Sequence, residues 1–290
     1  MDIRAILMGL VFALMWSSAF TSARMIVVDA PPLTALALRF LLSGVIGVGL
    51  ALMLGQSWRL SRPQWRSTVT FGLMQNAAYL GLYFLAMQRI GASVAAIIAS
   101  TMPLMVAFAG WAVFRDKLRP LAVAGLVAGF GGVVLIMGAR LQGGIDPTGI
   151  ALCILGAMAL TVATLSVRGA SGGQGNLLMI VGLQMLVGAT ATGLFALIFE
   201  SWEVRWSLRL VLAFLYTTLV PGLLATWVWF ALVARIGAVK AATFHFLNPF
   251  FGVLIAWVLL GERIAMSDVI GVAIIAAGIL AVQLSRQVPR

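Results

Sequence analysis

The chain has 290 residues, 62% of them hydrophobic and 9% charged, with a mean hydropathy of +1.10. Soluble domains carry about 25% charged residues, so this composition excludes a fold solvated by water and fits a lipid bilayer. The net charge of +11 does not read as a nucleic-acid footprint, because the basic residues fall singly or in threes between apolar runs, the pattern that sets membrane orientation.

A crossing takes roughly 20 apolar residues. Ten runs qualify: 3–23, 33–54, 67–88, 92–114, 120–139, 148–168, 176–199, 208–232, 238–260 and 268–285. The first has the features of a cleaved leader, but its apolar stretch is long enough to span, and it is expected to be retained. It carries Trp16, too deep for an interfacial belt, and Ser17. In the second, Arg39 lies six residues past Leu33, roughly 9 Å deep at 1.5 Å per residue. It either snorkels outward or faces a cavity and meets a carboxylate.

In the third span Asn76, Tyr79 and Tyr83 fall on one helical stripe, with Gln75 beside it. The fourth is broken by Pro103, next to Thr101; the fifth carries Gly125, Gly129 and Gly132. Cys153 in the sixth can form no intramolecular disulfide and reads as a small apolar residue. Thr161, Thr164 and Ser166 follow it, as cavity hydroxyls or as hydroxyls bonded to their own backbone. The eighth has Trp227 and Trp229. The ninth contains AATFHFLNPFFG, which holds the chain's one histidine, His245, with Asn248 and Pro249. Lys240 at its start reads as snorkelling, and Gly271 and Gly278 lie in the tenth. Trp58, Trp65, Trp202 and Trp206 near span ends read as interfacial belt residues.

With the amino terminus cytoplasmic, the inside receives Arg4, Arg59, Arg62, Arg66, Arg115, Lys117, Arg119, Arg168, Arg235, Lys240, Arg286 and Arg290. The outside receives Arg24, Arg89, Arg140, Arg205, Arg209 and Arg263. The excess favours both termini inside.

Sliding the chain along itself by 146 residues lays RIGASVAAIIASTMPLMVAFAGWAVFRDKL over RIGAVKAATFHFLNPFFGVLIAWVLLGERI without a gap. Pro103 falls on Pro249, Trp111 on Trp257, Asp116-Lys117 on Glu262-Arg263, Gly125 on Gly271 and Gly132 on Gly278. The halves are 1–139 and 140–290. Five spans per half is an odd number, so the second half is inverted. The expected fold is therefore an all-α integral membrane protein of ten transmembrane helices, in two inverted-topology five-helix repeats around a central cavity.

These stretches resemble the drug/metabolite transporter superfamily, specifically its EamA-type ten-helix exporters. LMWSSAFTSARM resembles the family's Trp-Gly-x-x-Phe pattern, with Ser17 where glycine is usual. LTALALRFLLSG resembles its Arg-bearing second helix, and LNPFFGVLIAWVLLGERIAMSDVIGVAIIAAGIL its ninth and tenth. The chain as a whole is most similar to the YddG-type exporters of aromatic and other hydrophobic amino acids. The resemblance implies a bacterial inner-membrane location and a cavity ringed by helices one, three, four, six, eight and nine. It implies a small-molecule cargo, with an amino acid foremost.

The candidate binding residues are Trp16, Ser17, Arg39, Gln75, Asn76, Tyr79, Tyr83, Thr101, Thr164, Trp227, Trp229, His245 and Asn248. Pro103 and Pro249 are candidate breaks: each removes a backbone donor, freeing a carbonyl near Ala99 and His245 for a cargo amine, or each is a packing kink. His245 is either a proton carrier, its unperturbed pKa being about 6.5, or a neutral wall residue. Every Asp and Glu lies at or near a span end, which favours a facilitator over a proton-linked pump. No nucleotide-binding loop, metal cluster or acid–base constellation is present in the sequence, so no cofactor, no nucleic acid and no enzyme activity are expected. Efflux of drugs or nucleoside-type metabolites is the alternative, and an integral-membrane enzyme a remote one. The spans fix no oligomeric state, and a monomer satisfies them.

Overall fold

A computed structural model describes residues 3–166, 176–237, 241 and 243–285. The expectations placed on Arg168, Lys240, Arg286 and Arg290 lie outside the described residues. Every regular element among the described residues is helical. The helices are α1 (Ile3–Asp29), α2 (Pro32–Met53), α3 (62–86), α4 (Ala92–Phe114), α5 (Pro120–Gln142), α6 (Pro147–Ser166), α7 (Leu177–Phe199), α8 (208–236), α9 (Thr243–Leu260) and α10 (Met266–Ser285). All but α3 are long and apolar enough to cross a membrane. α3 is a tenth segment of membrane length, more polar at its start. Val127, Val134 and Leu197 are more than 70% exposed on the outer wall, which only an apolar solvent tolerates across a whole circumference. The chain is a multi-pass membrane protein.

Two boundaries move from the sequence-based expectation. α1 runs on to Asp29, stopped by the Pro31-Pro32 pair. α3 starts at Arg62 because Ser61 and Gln64 form a reciprocal capping box, with Pro63 in the first turn.

The halves are related by inversion, and particular contacts repeat across it. Past the end of α7, Glu200 accepts from Leu33 N and Thr34 N at the start of α2, both at 2.8 Å. Past the end of α2, Gln56 accepts from Met179 N at the start of α7, at 2.9 Å. Leu33 and Met179 are 146 residues apart, so one tie recurs upside down. α5 and α10 meet the same way. A Cβ on Gly125 would lie 2.7 Å from Gly278 O, and one on Gly278 2.6 Å from Gly125 O. Gly132 and Gly271 repeat the reciprocity at 2.9 and 3.0 Å. Only glycine permits backbones this close, so α5 and α10 are scaffold.

The breaks are also paired. α4 is interrupted at Thr101, between Ala92–Ser100 and Met102–Phe114; α9 opens as 3₁₀ turns, Thr243–Leu247, before Asn248–Leu260. Pro103 and Pro249 each sit in the first turn of the second segment. α3 and α8 carry π-helical turns at matching places, Gly72–Tyr79 and Val220–Leu224. Such turns concentrate at functional sites.

The end of the bundle opposite Ile3 is closed and heavily bonded. Glu262, after α9, accepts from Ala92 N (2.6 Å), Ser93 N (3.0 Å) and the Ser93 hydroxyl at the start of α4. Arg24 donates to Met87 O, Arg140 to Asp268 (2.6 Å), and Arg205 to Val28 O (2.7 Å). Arg89 lies 3.0 Å from Asp146 and, with the Thr148 N–H, holds that carboxyl below its usual range. Beneath these ties Ile26, Leu36, Phe84, Met87, Ile90 and Ile97 are buried. At the end bearing Ile3, Gln56 and Asn176 tie α2 to α7, and Arg4, Asp116, Arg119 and Arg235 are engaged too.

Candidate substrate cavity

A cavity of about 440 Å³ lies at mid-depth, where the helices break, and extends toward the amino-terminal end. That falls within the range of roughly 300–1,000 Å³ that small-molecule sites occupy. Its aromatic walls are Phe12, Trp16, Phe20, Phe71, Tyr79 and Trp229; its polar atoms come from Gln75, Asn76, Gln184, Thr226, His245 and Asn248, among others. Among the described residues no Asp, Glu, Lys or Arg lines it.

Each break serves the cavity. The α-helical partner of the Ala99 carbonyl would be the nitrogen of Pro103, and that of His245 the nitrogen of Pro249; neither nitrogen carries a hydrogen. Ala99 and His245 both line the cavity, as does Pro103; Pro249 is buried behind it. The π turns of α3 rotate Gln75, Asn76 and Tyr79 inward together. Asn76 Nδ2 donates to Gln184 O at 2.9 Å, binding that wall to α7.

His245 sits in an aromatic cage: ring centroids lie 5.2 Å away at Trp229, 5.4 Å at Phe12 and 6.4 Å at Trp16. Its Nδ1 is 2.9 Å from Asn248 Nδ2. A neutral ring with its proton on Nε2 can accept from that amide through Nδ1.

Trp16, Gln75, Asn76, Tyr79, Thr164, Trp229, His245 and Asn248, with Pro103, are thus brought to one cavity. The Thr164 hydroxyl, however, donates to Leu160 O at 2.8 Å and is committed to its own helix. Other candidates are elsewhere. Trp227 is 67% exposed on the outer wall, since the neighbouring Trp229 takes the inward position. Ser17 is buried and donates to Asn248 O at 3.3 Å, joining α1 to the α9 break. Thr101 is buried and donates to Ile98 O at 2.7 Å. Tyr83 packs against α6, where Gly156 leaves room for its ring.

Tyr83 and Arg39 line a separate chamber of about 60 Å³ toward the closed end, and Trp16, Phe20, Gln75 and Tyr79 are walls of both spaces. Arg39 therefore does not snorkel; it is buried at 8% exposure. Helix seven was not expected at the cavity, yet Leu177, Val181, Gln184 and Met185 line it. The one sequence signal was Gln184, an amide within an apolar run.

The family model described as EamA-like transporter family matches residues 3–138 and again 147–284. The chain is 25% identical over 295 residues to the inner membrane transporter YedA of Escherichia coli (strain K12), covering 97% of this chain and 91% of that one. It is 24% identical over 271 residues to the transporter YvbV of Bacillus subtilis (strain 168), covering 92% and 87%. Over 139 residues, 48% of each chain, it is 30% identical to the aromatic amino acid exporter YddG of Ancylobacter novellus. A solved crystal structure superposes on 97% of this chain and 98% of its own with a TM-score of 0.70, at 23% identity, which speaks for the fold. With both halves matched, the chain belongs to the EamA-like transporter family.

Proposed function

We propose that the chain exports small neutral metabolites, foremost aromatic and hydrophobic amino acids, across a bacterial inner membrane as a facilitator. The observation that carries the reading is the aromatic-walled cavity at the paired proline breaks, with side-chain amides and, among the described residues, no charged side chain. Aromatic walls suit an apolar side chain; the Ala99 and His245 carbonyls suit an ammonium group. The half-length likeness to an aromatic amino acid exporter points the same way.

In this reading the halves 1–139 and 140–290 rock against one another. Both termini are cytoplasmic, so the cavity faces the cytoplasm and the bonded end is periplasmic. Cargo enters from the amino-terminal end, the opposite end parts, and the cargo leaves. Binding shifts this equilibrium only by its differential affinity for the two states. His245 acts as a neutral wall residue, consistent with its bond to Asn248. The working unit is a monomer, with lipid as its partner.

The test is uptake into liposomes holding the purified chain, with labelled tryptophan, phenylalanine, threonine, lysine and a nucleoside, with and without a pH gradient. Neutral amino acids should equilibrate without a gradient, and His245→Ala should keep this. Accumulation only under a proton gradient, lost in His245→Ala, would make His245 a proton carrier. Movement of the nucleoside alone would replace the cargo.

A further inference from the structure

Three buried donors in one region lack a normal partner. Arg39 Nε, Ser43 Oγ and Tyr83 OH are all buried without a hydrogen bond, the Tyr83 hydroxyl having only the weakly accepting Cys153 thiol beside it. Arg39 and Ser43 are one helical turn apart on α2, and each has an atom 3.7 Å from the point that a Cβ on Gly222 would occupy. Arg39 and Tyr83 line the same 60 Å³ chamber. Among the described residues no carboxylate pairs with Arg39; its guanidinium carbon lies 5.5 Å from the centre of the neighbouring Phe40 ring. Buried cations without a partner are costly, and clustered orphan donors need an explanation. Here they share a sign: each offers a hydrogen, and none of their neighbours takes it well.

The repeat gives the chamber a second meaning. Subtracting 146 from Met185, Thr226 and Trp229, three walls of the open cavity, gives Arg39, Leu80 and Tyr83, three walls of the closed chamber. The chamber is the inverted counterpart of the cavity. Under the proposed alternating access, Arg39 would be to the second state what Met185 is to this one.

We propose that the Arg39 chamber is a carboxylate site, in which Arg39, with Tyr83 beside it, holds the anionic end of the cargo as the molecule turns toward the opposite end. The cargo then leads with its carboxylate, and its apolar part follows through the space between Trp16, Phe20 and Tyr79. At about 60 Å³ the chamber is far smaller than the 440 Å³ cavity, which suits a single polar end group. The site deepens the proposed function, since it selects aromatic acids and zwitterions over amines and uncharged drugs.

The experiment compares ring-matched compounds in liposomes: phenylalanine, 3-phenylpropanoate (acid only) and 2-phenylethylamine (amine only), with the wild-type chain, Arg39→Gln and Arg39→Lys. Arg39→Gln should lose at least about tenfold in flux of phenylalanine and of the acid, as loss of a charge-assisted contact implies. Arg39→Lys should restore part of it. Any amine flux should not fall. A folded Arg39→Gln chain moving phenylalanine at the wild-type rate would overturn the site and leave the amino-acid reading intact. Arg39-dependent movement of the acid without phenylalanine would keep the site and remove that reading. Should Arg39→Gln fail to fold, thermal melting of the wild-type chain decides. The acid should raise its melting temperature and the amine should not; equal effects, or none, would overturn the proposal.

Discussion

Two cross-repeat helix pairs share one symmetry and differ in build. α2 and α7 are unbroken, pack along their length, and are tied at both ends, by Glu200 at one and Gln56 at the other. α4 and α9 are each broken at mid-depth beside a proline. Their segments toward the closed end pack so tightly that a Cβ on Gly252 would meet Ala96, while residues at their breaks wall the cavity. If the halves rock as proposed, the unbroken pair is the strut they turn about and the broken pair the hinge at which they bend, proline deciding which pair of an inverted repeat can flex.

The glutamates separate these roles, because the same chemistry occurs in both. Glu200 and Glu262 each accept two successive N–H groups and a hydroxyl at a foreign helix start, where a negative charge is favoured. Losing such an acceptor costs about 2–3 kcal/mol. In Glu262→Ala that cost falls on the closed state, so the population with the opposite end parted should rise about 30- to 160-fold. Spin labels at Gln88 and Ile264, with Cys153 replaced by Ser, should report a longer distance. An unchanged distribution would remove Glu262 from the gate. Glu200→Ala should cost a similar free energy in a different currency: the melting temperature falls, while the Gln88–Ile264 distance stays. If Glu200→Ala also widens that distance, α2 and α7 are not a strut.

The hinge was legible in the sequence because proline acts locally: Pro103 and Pro249 mark their own breaks and align at the repeat offset. The α5–α10 seam was legible for a similar reason, since glycine at repeated spacing marks close backbones. The π turns were not. The stripe of Tyr79 and Tyr83 itself holds: their ring centroids lie 4.6 Å apart and both wall the chamber, while Tyr79 also reaches the cavity beside Asn76. Trp227 and Trp229 could not be separated by composition; one faces outward and the other inward, and only the helix's rotation decides. α7 was passed over because cavity-facing Leu177 and Val181 look like lipid-facing residues when the solvent is itself apolar. Arg39 left two readings open, and its burial at 8% exposure against the chamber, invisible in sequence, decides against snorkelling.

The smallest expected effect concerns a site where the two hinge helices ought to match and do not. Both end in a left-handed residue. In α9 it is Gly261, at φ 67°; in α4, 146 residues earlier, it is Arg115, at φ 56°. Among the described residues Arg115 alone, apart from glycines, has positive φ. The conformation costs a residue bearing a Cβ about 1–2 kcal/mol, and glycine at such an end escapes it. Glycine also gives the unfolded chain more freedom, returning about 0.5–1 kcal/mol. Arg115→Gly should therefore stabilise the chain by roughly 0.5–1 kcal/mol, the difference of those two terms, read as a modest rise in melting temperature. The reciprocal Gly261→Arg should lower it by a like amount. A fall in both variants would mean that the Arg115 side chain contributes more than its backbone costs. The first repeat would then keep an arginine there for its charge at the amino-terminal end, where the second repeat, inverted, needs none.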